Sequence, residues 1–204
     1  MDVRQRFFGL SLIGGALVLA SNPANAGSTP STSSRTSSLS SALLTAREVG
    51  AGFTARDPRP PKSTSGPCDV PNKIKPAERV GVQFDDADKT INLQQDIRHY
   101  ADAASAAKQF AAARVAVAKC SGKTITVGNS YIFLKLAEPR LKGVDDSLAF
   151  SGNVRSSGGV VKVVFYALRS RANITTISVV SAVAARPGIE PVVEAARVKL
   201  LSLV

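Results

Sequence analysis

The residues through which this chain would do chemistry are few: Cys68 and Cys120, the single His99, the aspartates Asp85, Asp86 and Asp88, and the step Asp145-Asp146-Ser147. A metal site needs several convergent ligands, and His99 has no second histidine and no cysteine to spare. Asp85, Asp86 and Asp88 would suggest calcium, but the run lacks the central glycine and closing glutamate of a calcium loop, so a solvated turn is expected. Asp145, Asp146 and Ser147 would enter a hydrolytic scheme only with a Gly-x-Ser-x-Gly elbow and a histidine held by an acidic partner, and neither is evident. Gly158-Gly159 has no strand-loop-helix around it to cradle a phosphate, and reads as a turn. Asn173-Ile174-Thr175 matches a glycosylation sequon, read as chance beside an export signal of bacterial type. The sequence therefore predicts no catalytic residue, no metal and no cofactor.

The cysteines take their meaning from the first 26 residues. Arg4 and Arg6 form a basic n-region, Phe7 to Ala20 an apolar h-region, and Ala24-Asn25-Ala26 a small-x-small cleavage site. The apolar run is too short to span a bilayer comfortably, and no later stretch reaches spanning length without charge. No cysteine lies near the cut, so lipid anchoring there is excluded. The expected chain is secreted or held at the cell envelope, with no transmembrane segment after cleavage. In that oxidising setting an even cysteine count predicts a Cys68–Cys120 bridge. It would close about 50 residues, which the chain-entropy argument values at about 4 kcal/mol. A redox pair would want Cys-x-x-Cys spacing, which is absent.

The formal charge is +11, and the leader holds only Asp2, Arg4 and Arg6, so the chain stays strongly basic without it. A basic exported protein meets anionic headgroups, wall polymers and acidic glycans. Nucleic acid is not an expected partner outside the cell, and no run of five or six like charges occurs.

The elements that must position these residues follow from periodicity. Residues 27–41 are Ser/Thr-rich and read as a disordered tether, with one domain over 42–204. Thr45 to Glu48 fits a capping box opening a short helix that ends near Gly50 or Gly52. Arg56 to Pro76 reads as an irregular loop pinned by Cys68. Arg79 to Phe84 and Thr90 to His99 alternate around the turn Asp85–Lys89, which predicts an antiparallel hairpin. Gln95 interrupts the apolar face, so a bulge or an edge position is expected there. Asp102 caps a helix to about Lys119, with Ala103, Ala106, Phe110, Ala113, Val117 and Cys120 on one stripe. Strands are expected at Thr124–Val127, Tyr131–Ala137, Leu148–Val154, Val160–Leu168 and Ile174–Val183, with Val160–Leu168 central. Pro139–Ser147 reads as a loop, and Ser156–Gly159 as a hairpin turn. A last helix runs from about Ile189 to Leu203, with Pro191 in its first turn. Most of Phe84, Tyr100, Tyr131, Phe133, Phe150, Phe165 and Tyr166 are expected in the core. This order gives an α+β fold: an antiparallel sheet with flanking helices in a single domain.

Three stretches carry a family resemblance. Leu43 to Phe53 (LLTAREVGAGF) is similar to the opening motif of actinobacterial extracellular sensor domains of the PknH type. The helix from Asp102 to Cys120, with Gln109-Phe110-Ala111-Ala112 at its centre and a cysteine at its end, resembles a second motif. Asp145 to Ala149 resembles the acidic step before a strand. The likeness would span about 43 to 204. It implies an antiparallel sheet with flanking helices, a cleft, a disulfide and ligand sensing without catalysis. Such domains hang from transmembrane Ser/Thr kinases or occur alone as exported or lipid-anchored proteins. Here there is neither kinase nor transmembrane helix, so a signal would pass through a partner. With one cysteine pair, the second bridge of the kinase-borne form would be missing.

The expectation is an exported, non-enzymatic sensor or ligand-binding domain that takes a small or lipidic, anionic ligand in a cleft of the sheet. The alternative is a cell-wall or protein interaction module without a pocket. Neither the ligand nor the residues lining a cleft can be read from the sequence.

Overall fold

A computed structural model describes residues 39–58, 74–127, 130–156, 159–182 and 188–203. The expected leader, Cys68 and most of the expected 56–76 loop lie outside these residues. The described chain forms α1 (Ala46–Val49), β1 (Phe53–Arg56), β2 (Glu78–Asp86), β3 (Ile91–His99), α2 (Ala103–Cys120), β4 (Thr124–Val127), β5 (Ser130–Ala137), β6 (Asp146–Ser156), β7 (Gly159–Ser170), β8 (Asn173–Ser181) and α3 (Glu190–Leu201). The eight strands make one sheet in the order β1-β2-β3-β8-β7-β6-β5-β4, every neighbouring pair antiparallel. The α+β class and the flanking helices are as expected, and β7 is central.

Local chemistry accounts for the elements. Thr45 and Glu48 form the capping box, the Thr45 amide donating to Glu48 Oε2 at 2.7 Å, and Gly50 ends α1 at φ 135°. Asp102 Oδ1 accepts the Ser105 amide at 2.6 Å and opens α2. Asp86 closes the β2–β3 turn by accepting from the Ile91 amide and the Thr90 hydroxyl, which is the role of that aspartate in the acidic run.

Strand parity sets two layers. On β7, Val161, Val163, Phe165 and Ala167 face the cluster under α2, where Phe110, Val117 and Phe150 also pack. Val164 and Leu168 face the other side, under α3, with Phe84, Leu93, Ile177 and Leu200. Phe150 and Phe165 stack with centroids 4.8 Å apart.

Five details depart from the expectations. Phe53–Arg56 is a strand, too short and too exposed to announce itself by alternation. The sheet is joined through β3–β8, a pairing between strands about 80 positions apart that no local signal encodes. The sixth strand begins at Asp146, not Leu148. Gln95 is neither in a bulge nor at an edge: its register is continuous with Val82 and Ile177, in an inner strand. Its buried amide accepts from the Leu44 amide at 2.6 Å and donates to Ala42 O and Thr175 Oγ1. A polar residue was tolerated there because it fastens the N-terminal segment. Leu39, on the tether side of the expected boundary, is buried with Ala42 and Ile97.

Candidate functional site

The α2 helix covers only part of its face of the sheet. Towards β1, the positions of the same parity become polar. Arg79 on β2 stands directly across from Arg98 on β3. Two guanidiniums opposed in this way would repel. Asp96 neutralises them, with Oδ2 2.5 Å from Arg79 Nε and Oδ1 2.6 Å from Arg98 Nε. Asp96 and Arg98 are 3% and 4% exposed, so both charges have left bulk water. Further along, buried Asp85 holds Arg56 of β1 at 2.6 Å and accepts from Asn92 Nδ2 at 2.6 Å. Gln83, Thr176 and Ser178 complete a buried polar surface, and Thr176 donates to the Asp96 carbonyl.

Among the described residues three guanidiniums here meet two carboxylates, so cationic capacity is left over between them. Arg98 Nη2, Arg56 Nε and Tyr100 Oη are buried without a well-formed hydrogen bond. Tyr100 joins the two halves of this face: its ring lies in the cluster under α2, while its hydroxyl comes close to Arg98. Burial pushes the Tyr100 phenol up, the Arg98 guanidinium opposing, so the phenol stays a neutral donor at physiological pH. The chain leaving β1 passes over this surface at Gly81, where an added Cβ would stand 3.1 Å from Gln95 O and 3.3 Å from Pro58 Cγ. An alanine there would require its neighbours at the crossing to give by a few tenths of an ångström.

The residues singled out by type have other roles. His99 Nδ1 lies 2.9 Å from Asn173 Oδ1, and Asn173 Nδ2 donates to Leu203 O. That places the histidine in a strand-to-terminus link. Asn173 and Thr175 are buried, so the sequon is closed to a glycosyltransferase in the folded chain. Asp145 and Asp146 bind Arg169, at 3.1 and 2.7 Å, and Asp146 also meets Arg114 of α2. The Ser147 hydroxyl donates to the Pro139 carbonyl. Among the described residues no cluster of three or more His, Cys, Asp or Glu could hold a metal. Cys120 is buried at the last residue of α2, on the stripe expected for it, and Cys68 lies outside the described residues. None of Arg56, Arg79, Asp96 or Arg98 was singled out as a site residue from the sequence, and Tyr100 was named only among the aromatics of the core. The usable signal was that β8, a central strand, carries Thr176 and Ser178 on one parity, which leaves a polar surface inside the molecule.

Of the expected aromatics, Phe84, Tyr100, Phe150 and Phe165 are in the core, but Tyr131 and Phe133 are 57% and 45% exposed. No described helix is long and apolar enough to cross a membrane.

No protein-family model matches the sequence, and no curated protein does. Among solved structures, the chain is similar to the extracellular domain of PknH from Mycobacterium tuberculosis, at 13% identity and a TM-score of 0.57 over 87% of this chain and 98% of that one. An Rv0999 ortholog from Mycobacterium smegmatis aligns at 10% identity and a TM-score of 0.43 over 83% and 93%. The first likeness establishes that this chain has the fold of the PknH extracellular domain.

Proposed function

We propose that this chain is an exported, non-enzymatic sensor or ligand-binding domain whose ligand, small or lipidic and carrying an anionic group, is held by the polar part of the sheet beside α2. The observation that carries this reading is Arg98: a buried guanidinium whose Nη2 has no well-formed hydrogen bond, beside the Tyr100 hydroxyl, which meets that guanidinium and makes no other well-formed hydrogen bond among the described residues. An unmade hydrogen bond of a buried polar group costs about 1–3 kcal/mol, so such groups persist where a ligand completes them. A guanidinium and a phenol together donate to a carboxylate or phosphate oxygen. The fold shared with an extracellular domain of PknH supports placing the chain outside the cytoplasm, as does the leader over 1–26. The reading includes a Cys68–Cys120 bridge at the end of α2, supported by burial of Cys120 and by the absence of a free thiol among the described residues.

Native mass spectrometry of the protein purified from its producing cells tests both parts. The expected result is an added anionic metabolite or lipid mass that R98M loses while remaining folded. A bare wild-type mass, or an adduct that R98M retains, overturns the reading. The bridge predicts a polypeptide mass two hydrogens short of the dithiol, and a full dithiol mass in fresh protein sinks it.

A further inference from the structure

Among the described residues no element covers the opposite face of the sheet at its other end, and its composition is unlike the rest of the surface. There β5 presents Tyr131, Phe133 and Lys135. The register sets Tyr131 beside Arg155 of β6, and Arg155 beside Val160 of β7. The next rung places Phe133, Asn153 and Lys162 in line. Tyr131 and Val160 are 57% and 46% exposed, and Arg155 and Lys135 are exposed too. None of the residues that β4 to β7 place on this face is acidic. With strands about 4.8 Å apart and about 3.4 Å per residue along each, two aromatic rings, a valine and two exposed cations lie within one area about 10 Å by about 14 Å.

We propose that this face docks the protein on an anionic phospholipid surface. Side-by-side aromatics and cations are what the headgroup layer accepts: the rings enter the apolar–polar boundary and the cations meet phosphate. The chemistry disfavours the other occupants. A second copy laid on the same patch would bring like charges together without a carboxylate to separate them. A soluble polyanion would use the cations and leave no reason for Tyr131 and Phe133 to stand in water. The patch lies on the face away from Arg98, so the surface contact and the ligand site act independently.

The test is flotation of the full protein with vesicles of phosphatidylcholine alone and of phosphatidylcholine with an equal part of phosphatidylglycerol, at low and high salt. Binding is expected to the anionic vesicles only, and to fall as salt rises. K135Q/R155Q is expected to lower partitioning about 30-fold, at roughly one cation's contribution each, and Y131S/F133S about tenfold through lost apolar insertion. K108Q, an exposed cation on α2 across the sheet, leaves binding unchanged. Several outcomes overturn the proposal: no binding to anionic vesicles, equal loss with K108Q, or binding that Y131S/F133S does not weaken. A dimer that Y131S/F133S abolishes would also overturn it, and would assign the face to a second copy.

Discussion

On one face of one sheet, two regions obey the same strand parity and different chemistry. Under α2 the inward positions are Leu134, Phe150 and Phe165, closed by Phe110 and Val117. Towards β1 the same parity carries Asp85, Asp96 and Arg98, equally buried. The apolar region is complete, since each side chain has its partners in the neighbouring helix and strands. The polar region is not: its carboxylates are matched, while the Arg98 guanidinium and the Tyr100 hydroxyl are buried against each other with donor capacity left over among the described residues. A protein selected for stability alone would have extended the apolar layer across these strands, because buried ion pairs seldom outperform packed hydrocarbon. The difference therefore separates what holds the fold from what the fold holds.

The largest effects should come from cutting each region once. Phe110→Ala empties the space under α2 and is expected to cost about 3–5 kcal/mol in chemical denaturation. Asp96→Ala is expected to cost a similar amount, about 3–5 kcal/mol, for an electrostatic reason: Arg79 and Arg98 are left facing each other without their common counter-ion. The two can be told apart by replacing the whole set. R79M/D96L/R98M removes the charges together and is expected to recover the stability lost in Asp96→Ala, while abolishing the adduct seen by native mass spectrometry. If the triple variant is as unstable as Asp96→Ala, the polar region is structural and the comparison fails.

Local pattern carried most of the architecture. Thr45-x-x-Glu48 and Asp102 announced two helix starts, and the alternation of Val80, Val82 and Phe84 announced β2, because caps and parity act within a few residues. What escaped was set by distant partners. The β3–β8 pairing depends on Gln95 and Ile177 meeting across the sheet. The site escaped because Asn92, Gln94, Asp96 and Arg98 alternate with apolar residues in the way a solvated face does. Period 2 says which side chains share a face, and nothing about whether that face is wet. The same limit, with the opposite sign, hid Tyr131 and Phe133: β5 is largely apolar on both parities and reads as buried, yet no described helix lies over its outer side.

Gln95 sharpens the comparison from within the other layer. It is fully buried and polar, as Arg98 is, but its amide is answered by Leu44, Ala42 and Thr175. Gln95→Leu should leave the Leu44 amide and the Ala42 carbonyl without partners, and is expected to lower stability by about 1–3 kcal/mol. Because that polar group is satisfied within the chain, ligand binding should be unchanged. A Gln95→Leu protein of normal stability would mean that the segment around Leu44 is held by its apolar contacts alone.

The smallest effect concerns Glu48, which ties α1 to α3 through Lys199, 3.2 Å away. Burial works to raise its pKa, but the Thr45 amide and hydroxyl and the Lys199 ammonium outweigh that, so the carboxyl titrates below its ordinary range. A carboxyl depressed in the folded state adds stability above its unfolded pKa, and that contribution is lost as pH falls through the folded value. Wild-type stability should therefore decline on acidification below about pH 4.3 partly through this group, and Glu48→Gln should flatten that limb of the profile. Thr45→Ala removes the hydroxyl side of the cap and is expected to cost about 1 kcal/mol near neutrality. Both variants should bind ligand as the wild type does, since the cap packs under α3 and away from Arg98. Weakened binding in Thr45→Ala would show that the two layers are coupled, and that the division drawn between them is too sharp.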